Sequence, residues 1–214
     1  MLKLSKTSKL DGILSWSLEA IDTCPGSKDK DGNLVPACQG CYATTGNYRY
    51  PNVKAPRIHN KTDWKRDTWV SDMVEAIKGQ KYFRFFDSGD MYDIRLANKI
   101  YHVMKALPDT KFWVPTRMHK FEKFKPVLDR MNALPNVVVR FSSDSITGGL
   151  VAGKYNSTIV PTIDKAGTAV ACRAYEHDGK CNGCRSCWNK AVDTIAYVAH
   201  GKKMQKVIKL QLAA

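Results

Sequence analysis

The sequence has no apolar run long enough to cross a membrane or to act as a signal peptide. A membrane span needs about 20 apolar residues, and neither the first residues nor any later segment of the 214 approaches such a run. We therefore expect a cytoplasmic protein without a membrane partner. Hydrophobic residues make up 43% of the chain and it contains five Trp, so it is expected to fold as one domain with a packed core.

The sequence also lacks the residue patterns of several enzyme classes. No Ser/His/Asp arrangement is readable, and no glycine loop of the phosphate-binding type is present. The five histidines are isolated from one another along the chain: His59, His102, His119, His177 and His200. A hydrolase mechanism therefore has no support.

Acidic residues are few in comparison with basic ones. The chain has 20 Asp and Glu against 34 Lys and Arg, which gives a net charge of +14. Such a charge suits a polyanionic partner such as nucleic acid. The basic residues are spread over most segments, without an arginine-rich tail. Two interpretations therefore stay open, a nucleic-acid partner and a scattered basic surface with no specific partner.

Cysteine is absent from the 130 residues between positions 41 and 172, and its seven copies fall into two groups. The first group has three members and the second has four: Cys24, Cys38 and Cys41, then Cys172, Cys181, Cys184 and Cys187. In a reducing compartment, an odd number of clustered cysteines indicates ligation of a metal or cluster and argues against a disulfide framework.

The two groups predict two different kinds of site. Three thiolates leave one coordination position open to a ligand that is not protein, whereas four thiolates close the site. The open site indicates chemistry, and the closed site indicates a structural or electron-carrying role. In the second group Cys181, Cys184 and Cys187 repeat a two-residue gap, which lets their thiolates face one centre. Zinc and an auxiliary [4Fe–4S] cluster both stay open as its occupant.

Strands and helices are predicted to alternate along the chain. Strand-like runs fall at 13–18, 82–86, 111–114, 137–141, 158–160, 168–171 and 194–198. Helical spacing is found at 64–78 with Thr62 or Asp63 as cap, at 94–106 with Asp93 as cap, and at 119–134 with a break near Pro126. Alternation with short connections predicts parallel strands covered by helices, and therefore an α/β sheet or a partial (β/α) barrel.

Polar residues follow three successive predicted strands. They are Ser88, Gly89 and Asp90 after the second strand, Thr116 and Arg117 after the third, and Ser142, Ser143 and Asp144 after the fourth. The first cysteine group follows the first strand. Because α/β folds bind ligands at the carboxyl ends of their strands, these four segments are predicted to line one mouth. The alternative is that they are polar only because they are loops.

Three thiolates on a loop after the first strand resemble the site of radical S-adenosylmethionine enzymes. There, three cysteines hold a [4Fe–4S] cluster whose fourth iron binds the amino and carboxylate groups of the cofactor. The common spacing in that superfamily is three residues and then two. Here thirteen residues separate Cys24 from Cys38, only the Cys38 to Cys41 gap is kept, and Tyr42 follows the last cysteine. The long gap still allows convergence, because the entropy of loop closure grows slowly with length.

Five blocks in order along the chain resemble the phage and mobile-element family called gene product 88. They are Thr23-Cys24-Pro25-Gly26, Cys38-Gln39-Gly40-Cys41-Tyr42-Ala43, Arg84-Phe85-Phe86-Asp87-Ser88-Gly89-Asp90, Phe112-Trp113-Val114-Pro115-Thr116-Arg117 and Cys181-Asn182-Gly183-Cys184-Arg185-Ser186-Cys187-Trp188. The resemblance implies a phage protein acting in the host cytoplasm. It also implies a radical-SAM-like iron–sulfur protein, with no assigned reaction.

The resemblance to radical SAM enzymes also implies roles for the polar residues. An aspartate at the strand end accepts a hydrogen bond from the cofactor's ammonium. By position, the candidates for that amino group are Ser88, Gly89 and Asp90. The candidates for the ribose hydroxyls and the carboxylate are Thr116, Arg117, Ser142 and Asp144. Tyr42 is expected to pack near the adenine.

These observations give one functional hypothesis and one alternative. The first is an enzyme that cleaves S-adenosylmethionine, with residues 1–171 as a partial barrel and 172–214 as a cluster-binding segment in the same compact unit. Its substrate is unnamed, and a reductant protein is its expected partner. The alternative is a nucleic-acid-binding phage protein, stabilised by zinc or a cluster and without catalytic activity.

Overall fold

The computed structural model describes residues 1–212, which form an eight-stranded sheet with helices. The strands are β1 (Ser5–Lys6), β2 (Leu14–Trp16), β3 (Tyr82–Phe85), β4 (Lys111–Thr116), β5 (Val137–Ser142), β6 (Asn156–Val160), β7 (Val170–Cys172) and β8 (Thr194–Val198). Their order is β1-β2-β3-β4-β5-β6-β8-β7. Strand β1 is antiparallel to β2, and the other pairs are parallel. The predicted mixed α/β class with mostly parallel strands is therefore confirmed.

Residues 1–212 form helices α1 (Pro36–Gln39), α2 (Pro51–Asp63), α3 (Trp69–Ile77), α4 (Ile94–Ala106), α5 (Lys125–Ala133) and α6 (Lys202–Leu212). Two features of these helices agree with the predictions. Helix α4 has the predicted bounds, and its N-cap carboxylate on Asp93 accepts a 2.8 Å hydrogen bond from the Arg95 backbone N–H. Pro126 lies in the first turn of α5, where its missing N–H removes no helical hydrogen bond.

The helix predicted at 64–78 begins later than expected, at Trp69. Residues 64–68 form a turn, and Thr62 and Asp63 are the last residues of a separate helix, α2, so the prediction of either as N-cap is wrong. Arg66 bridges the turn between the two helices, because its guanidinium donates to the Asp63 carboxylate of α2 and to the Asp72 carboxylate of α3, each at 2.7 Å. Both helices are thereby held around a turn.

The main core lies between strands β2 to β5 and helices α3 to α5. Side chains alternate along a strand, so Phe83 and Phe85 of β3 enter this core while Arg84 points to the opposite face. In the core, Trp16 packs edge-on against Trp69 with ring centroids 5.2 Å apart. Aromatic packing therefore fixes β2, the strand that leads into the first cysteine group, against α3.

The opposite face of the sheet is covered by the two ends of the chain. Leu10 and Trp188 pack there with Trp113 of β4, and the Trp188 indole N–H donates to the Phe83 carbonyl at 2.8 Å. The cysteine-rich segment is therefore part of the packing of the sheet. The position predicted to divide two segments, 171/172, falls inside β7.

The C-terminal helix α6 covers the first cysteine loop through few apolar contacts. Its Met204 and Ile208 are buried against Ala37, Ile146 and Ala199. Helix α6 is rich in lysine, and neither it nor α2 is among the helices predicted from apolar spacing. No helix within residues 1–212 is long and apolar enough to cross a membrane.

Candidate functional site

The first cysteine loop leaves β2 and immediately contacts the loop that follows β3. Gly89 makes this contact possible: its φ is +76°, and a Cβ there would lie 2.5 Å from Leu18 Cβ and 2.6 Å from Thr23 Oγ1. The Asp90 backbone N–H donates to the Thr23 carbonyl at 3.1 Å. A glycine is needed because both the backbone conformation and the close approach exclude a side chain.

The same cysteine loop also contacts the loops that follow β4 and β5. A Cβ on Gly26 would lie 2.6 Å from Arg117 Cβ, and the Lys120 ammonium donates to the Gly26 carbonyl at 2.9 Å. The Ala37 backbone N–H donates to the Asp144 carbonyl at 3.0 Å. The structure therefore brings together the four segments that the sequence analysis assigned to one mouth.

Asp90 ties the end of β3 to the end of β4. Its Oδ1 accepts hydrogen bonds from Thr116 Oγ1 at 2.7 Å and from the Met91 backbone N–H at 2.8 Å, and its Oδ2 accepts from the Arg117 backbone N–H at 2.8 Å. Burial raises the pKa of Asp90 to about 6, against the lowering effect of these donors. Both carboxylate oxygens therefore already have protein donors.

Arg117 and Asp144 form an ion pair across the ends of β4 and β5. The Arg117 Nε donates to Asp144 Oδ1 at 3.2 Å, and its terminal nitrogen donates to the Ser143 carbonyl at 2.8 Å. The Lys120 ammonium lies 2.5 Å from the other Asp144 oxygen. Two cations thus share the Asp144 carboxylate beside the cysteine loop.

Ser142 lies at the end of β5, where its hydroxyl accepts a hydrogen bond from Ser157 Oγ at 3.3 Å.

Tyr42, the residue after Cys41, is anchored through its hydroxyl. The hydroxyl donates to the Asp87 carbonyl at 2.6 Å, although 44% of the residue is exposed. Burial at that end raises the pKa of the phenol to about 12. The ring lies between those of Tyr48 and His200, with centroid distances of 5.5 and 6.3 Å.

A buried charge cluster behind Tyr42 was not predicted from the sequence. The Asp87 carboxylate accepts from Tyr48 at 2.7 Å, from Arg57 at 2.8 Å and from Arg84 at 3.3 Å. Arg57 Nε also donates to the Ser88 hydroxyl at 2.7 Å. Ser88 is therefore engaged within the protein, and one carboxylate faces two buried guanidinium groups.

The three thiols of the first group are neighbours. Burial raises the pKa of Cys24 to about 12, followed by the effect of the nearby Asp90, and both Cys38 and Cys41 raise it further. Burial also raises the pKa of Cys38 and Cys41, while the charge of Arg117 lowers both. Because thiolates are the ligating form, metal binding here would release protons.

By chemistry this donor set fits a cluster with one open position, since it consists of three neighbouring thiols beside a guanidinium. Within residues 1–212, no three His, Cys, Asp or Glu side chains are arranged to hold a metal ion. The side chains must therefore turn toward a common point before they can ligate. That requirement applies to both cysteine groups.

The second group lies on the covered face of the sheet. Burial raises the pKa of Cys181, with a smaller contribution from Cys172 and then Cys184. Burial raises the pKa of Cys187 to about 11, and its sulfur lies 3.4 Å from the Tyr197 hydroxyl. All four thiols are therefore close to another member of the group or to this phenol, and the group spans β7 and the segment before β8.

Arg140 of β5 holds the second cysteine segment against the sheet, a role that was not predicted from the sequence. It is fully buried, and its guanidinium donates to five backbone carbonyls at 2.9 to 3.2 Å. The five carbonyls belong to Ser186, Cys187, Asn189, Val192 and Asp193. Three of these carbonyls are bonded by one terminal nitrogen, which has two N–H groups, so two of the three share one N–H.

Comparison with known families gives one match, which covers nearly the whole chain. The family model described as Gene product 88 matches residues 2–209. The chain therefore belongs to the gene product 88 family, a family of phage gene products. Searches among curated proteins and among solved structures gave no match.

Proposed function

We propose that this protein is a radical-SAM-like iron–sulfur enzyme whose first cysteine group holds a [4Fe–4S] cluster. In this proposal Cys24, Cys38 and Cys41 are the ligands, and the sheet acts as a partial barrel. The observation that carries the proposal is the position of the three thiols, on a loop in contact with the ends of β3, β4 and β5. Ligands of α/β folds bind at this edge.

When bound, the cluster and S-adenosylmethionine would supply a reductively generated carbon radical. The chain's own residues would bind and orient the cofactor. Arg117 supplies positive charge beside Cys38 and Cys41, which favours their thiolate form and attracts a carboxylate. The exposed ring of Tyr42 offers a flat surface for the adenine. Thr116, Ser142 and Asp144 remain the candidates for the ribose hydroxyls and carboxylate.

Asp90 has two roles in this proposal, whereas the sequence alone suggests one. From the loop after β3, its carboxylate accepts hydrogen bonds from Thr116 at the end of β4 and from the Arg117 backbone N–H just after it, and these bonds tie the two strand ends together. A carboxylate oxygen has two lone pairs, so Oδ2, with one protein donor, can accept a further bond from an ammonium. Asp90 would therefore both position the mouth and contact the cofactor's amino group.

The second cysteine group would hold an auxiliary cluster or a zinc ion. Cys172, Cys181, Cys184 and Cys187 supply four thiols, which suffice to close either site. The site is built into the covered face of the sheet, and Arg140 fixes the backbone around Cys187. A closed site in this place would stabilise the fold, whichever metal occupies it.

The test is to purify the protein without oxygen and to record its metal content and visible absorption. Iron, sulfide and the broad brown absorption of iron–sulfur clusters are expected. The loaded protein, with a strong reductant and S-adenosylmethionine, is then expected to form 5′-deoxyadenosine. A colourless protein with zinc in both sites would instead favour a nucleic-acid-binding protein, which the net charge of +14 also suits.

A further inference from the structure

A basic pocket lies beside the first cysteine group and contains none of the seven cysteines. It has a volume of 270 Å³ and is open to solvent. One wall is the start of α2 and the turn before it, with Tyr48, Arg49, Lys54 and Arg57. The other wall contains Glu19 and Ala20 from the loop after β2, and Ala43 and Thr44 just after Cys41. We call it the basic pocket.

Cations dominate the charge of the basic pocket. Arg49, Lys54 and Arg57 line it against a single acid, Glu19, and that carboxylate lies 3.6 Å from the Lys54 ammonium. Arg49 and Lys54 are exposed, so both can turn toward a ligand without breaking buried contacts. The pocket therefore offers two exposed cations and one buried cation to a ligand.

The protein behind this wall adds further positive charge. Arg57 is buried and shares the Asp87 carboxylate with the buried Arg84, so two guanidinium groups face one carboxylate. Arg84 Nε is also buried with no hydrogen-bond partner. An excess buried cation is unfavourable unless a counter-charge lies nearby. Arg84 itself lies over the Trp113 ring and does not line the pocket, whereas Arg57 does, so an anion bound there would supply a counter-charge to Arg57.

We infer that the basic pocket binds the phosphate or carboxylate group of a small-molecule ligand. Lys54 and Arg49 contact the anion, while Arg57 and Tyr48 form the rigid wall. Thr44, whose hydroxyl donates to the Cys41 carbonyl at 2.8 Å, lines the pocket toward the cysteine loop. Resting on the proposed function, the ligand is the substrate, held by its anionic end beside the cofactor.

The experiment is a calorimetric titration of the 214-residue chain with pyrophosphate, inorganic phosphate and succinate, at constant ionic strength. Pyrophosphate is expected to bind, and the double variant Arg49→Gln/Lys54→Gln is expected to weaken this binding at least tenfold. The matched control is Lys165→Gln/Arg173→Gln, which removes the same charge from exposed positions elsewhere. The control is expected to change binding less than twofold, and thermal melts check that both variants are folded.

Several results would overturn the inference. One is the absence of binding by the wild-type protein to any of the three anions, and another is equal weakening in both double variants, which would indicate nonspecific charge. Competition by S-adenosylmethionine would assign the pocket to the cofactor. An oligonucleotide that binds far more tightly through Arg49 and Lys54 would assign it to nucleic acid.

Preferential binding of succinate over phosphate would identify the anion as a carboxylate and support the inference.

This titration needs neither metal nor reductant, so its failure is distinct from a failure of the proposed function. If the protein forms 5′-deoxyadenosine but binds no anion, only the inference about the pocket is wrong. If it binds pyrophosphate through Arg49 and Lys54 but never cleaves the cofactor, the anion site is confirmed and the proposed enzymatic function is wrong.

Discussion

The two cysteine groups are held in different ways by the same sheet. The first is held at the edge of the sheet by close backbone approaches, at Gly26 and Gly89, and its loop contacts the ends of three further strands. The second is held on the face of the sheet, by Arg140 below and by the buried Trp188 beside it. An edge site can be altered with little effect on the core, whereas a face site is part of the packing.

The largest expected effect on stability comes from the second group. In metal-loaded protein, Cys184→Ala is expected to lower the free energy of unfolding by about 5 kcal/mol, because metal bound only in the folded state contributes directly to stability. Thermal and denaturant melts measure this loss.

Cys184 is exposed, so the same substitution in metal-free protein serves as the control. It is expected to change stability there by less than about 0.5 kcal/mol. If the loaded variant melts like the wild type and only turnover is lost, the second centre is catalytic or electron-relaying, and the contrast between the two groups fails.

Arg140→Met is expected to lower the free energy of unfolding by about 4 kcal/mol, because five partly buried backbone carbonyls lose the donor they share. The matched control is Arg130→Met, which alters an exposed arginine on α5 and should change stability by under about 0.5 kcal/mol. Denaturant unfolding compares the two variants. A loss of stability in Arg140→Met as small as that in Arg130→Met would show that Arg140 does not support the second cysteine segment.

A smaller effect is expected at the edge site from Gly89→Ala, about 3 kcal/mol of lost stability. It combines a left-handed backbone conformation with a 2.5 Å approach to Leu18. The matched control is Gly32→Ala, in the first cysteine loop, where φ is a similar +84° but the space around it is open, so only about 1 kcal/mol is expected. Equal losses in denaturant unfolding would mean that the close approach of the loops contributes nothing.

Apolar periodicity in the sequence was sufficient to locate the parallel strands and α4. It could not locate α2, because the buried residues of that helix are Arg57, Asn60 and Asp63, and a polar packing face has no apolar period. The buried cluster around Asp87 depends on α2 and was missed for the same reason. Arg140 was missed because a cation in the middle of an apolar strand gives no local sign of the carbonyls it will meet.

The candidate site was partly predictable because strand ends of a parallel sheet meet at one edge. The sequence therefore indicated that Gly89, Asp90 and Arg117 lie near the first cysteine group. It could not indicate that Asp90 is already bonded to three protein donors. Such engagement depends on the spacing of two strands and is visible only in three dimensions.

The most direct test of the central claim is cofactor cleavage by the wild type and by Cys41→Ala, with Cys184→Ala as the comparison for stability. Protein loaded with clusters without oxygen is given S-adenosylmethionine and a strong reductant, and 5′-deoxyadenosine is measured. We predict product from the wild type, none from Cys41→Ala, and a melting temperature of Cys41→Ala closer to the wild type than that of Cys184→Ala. A cluster-loaded wild type that neither binds nor cleaves the cofactor would contradict the account.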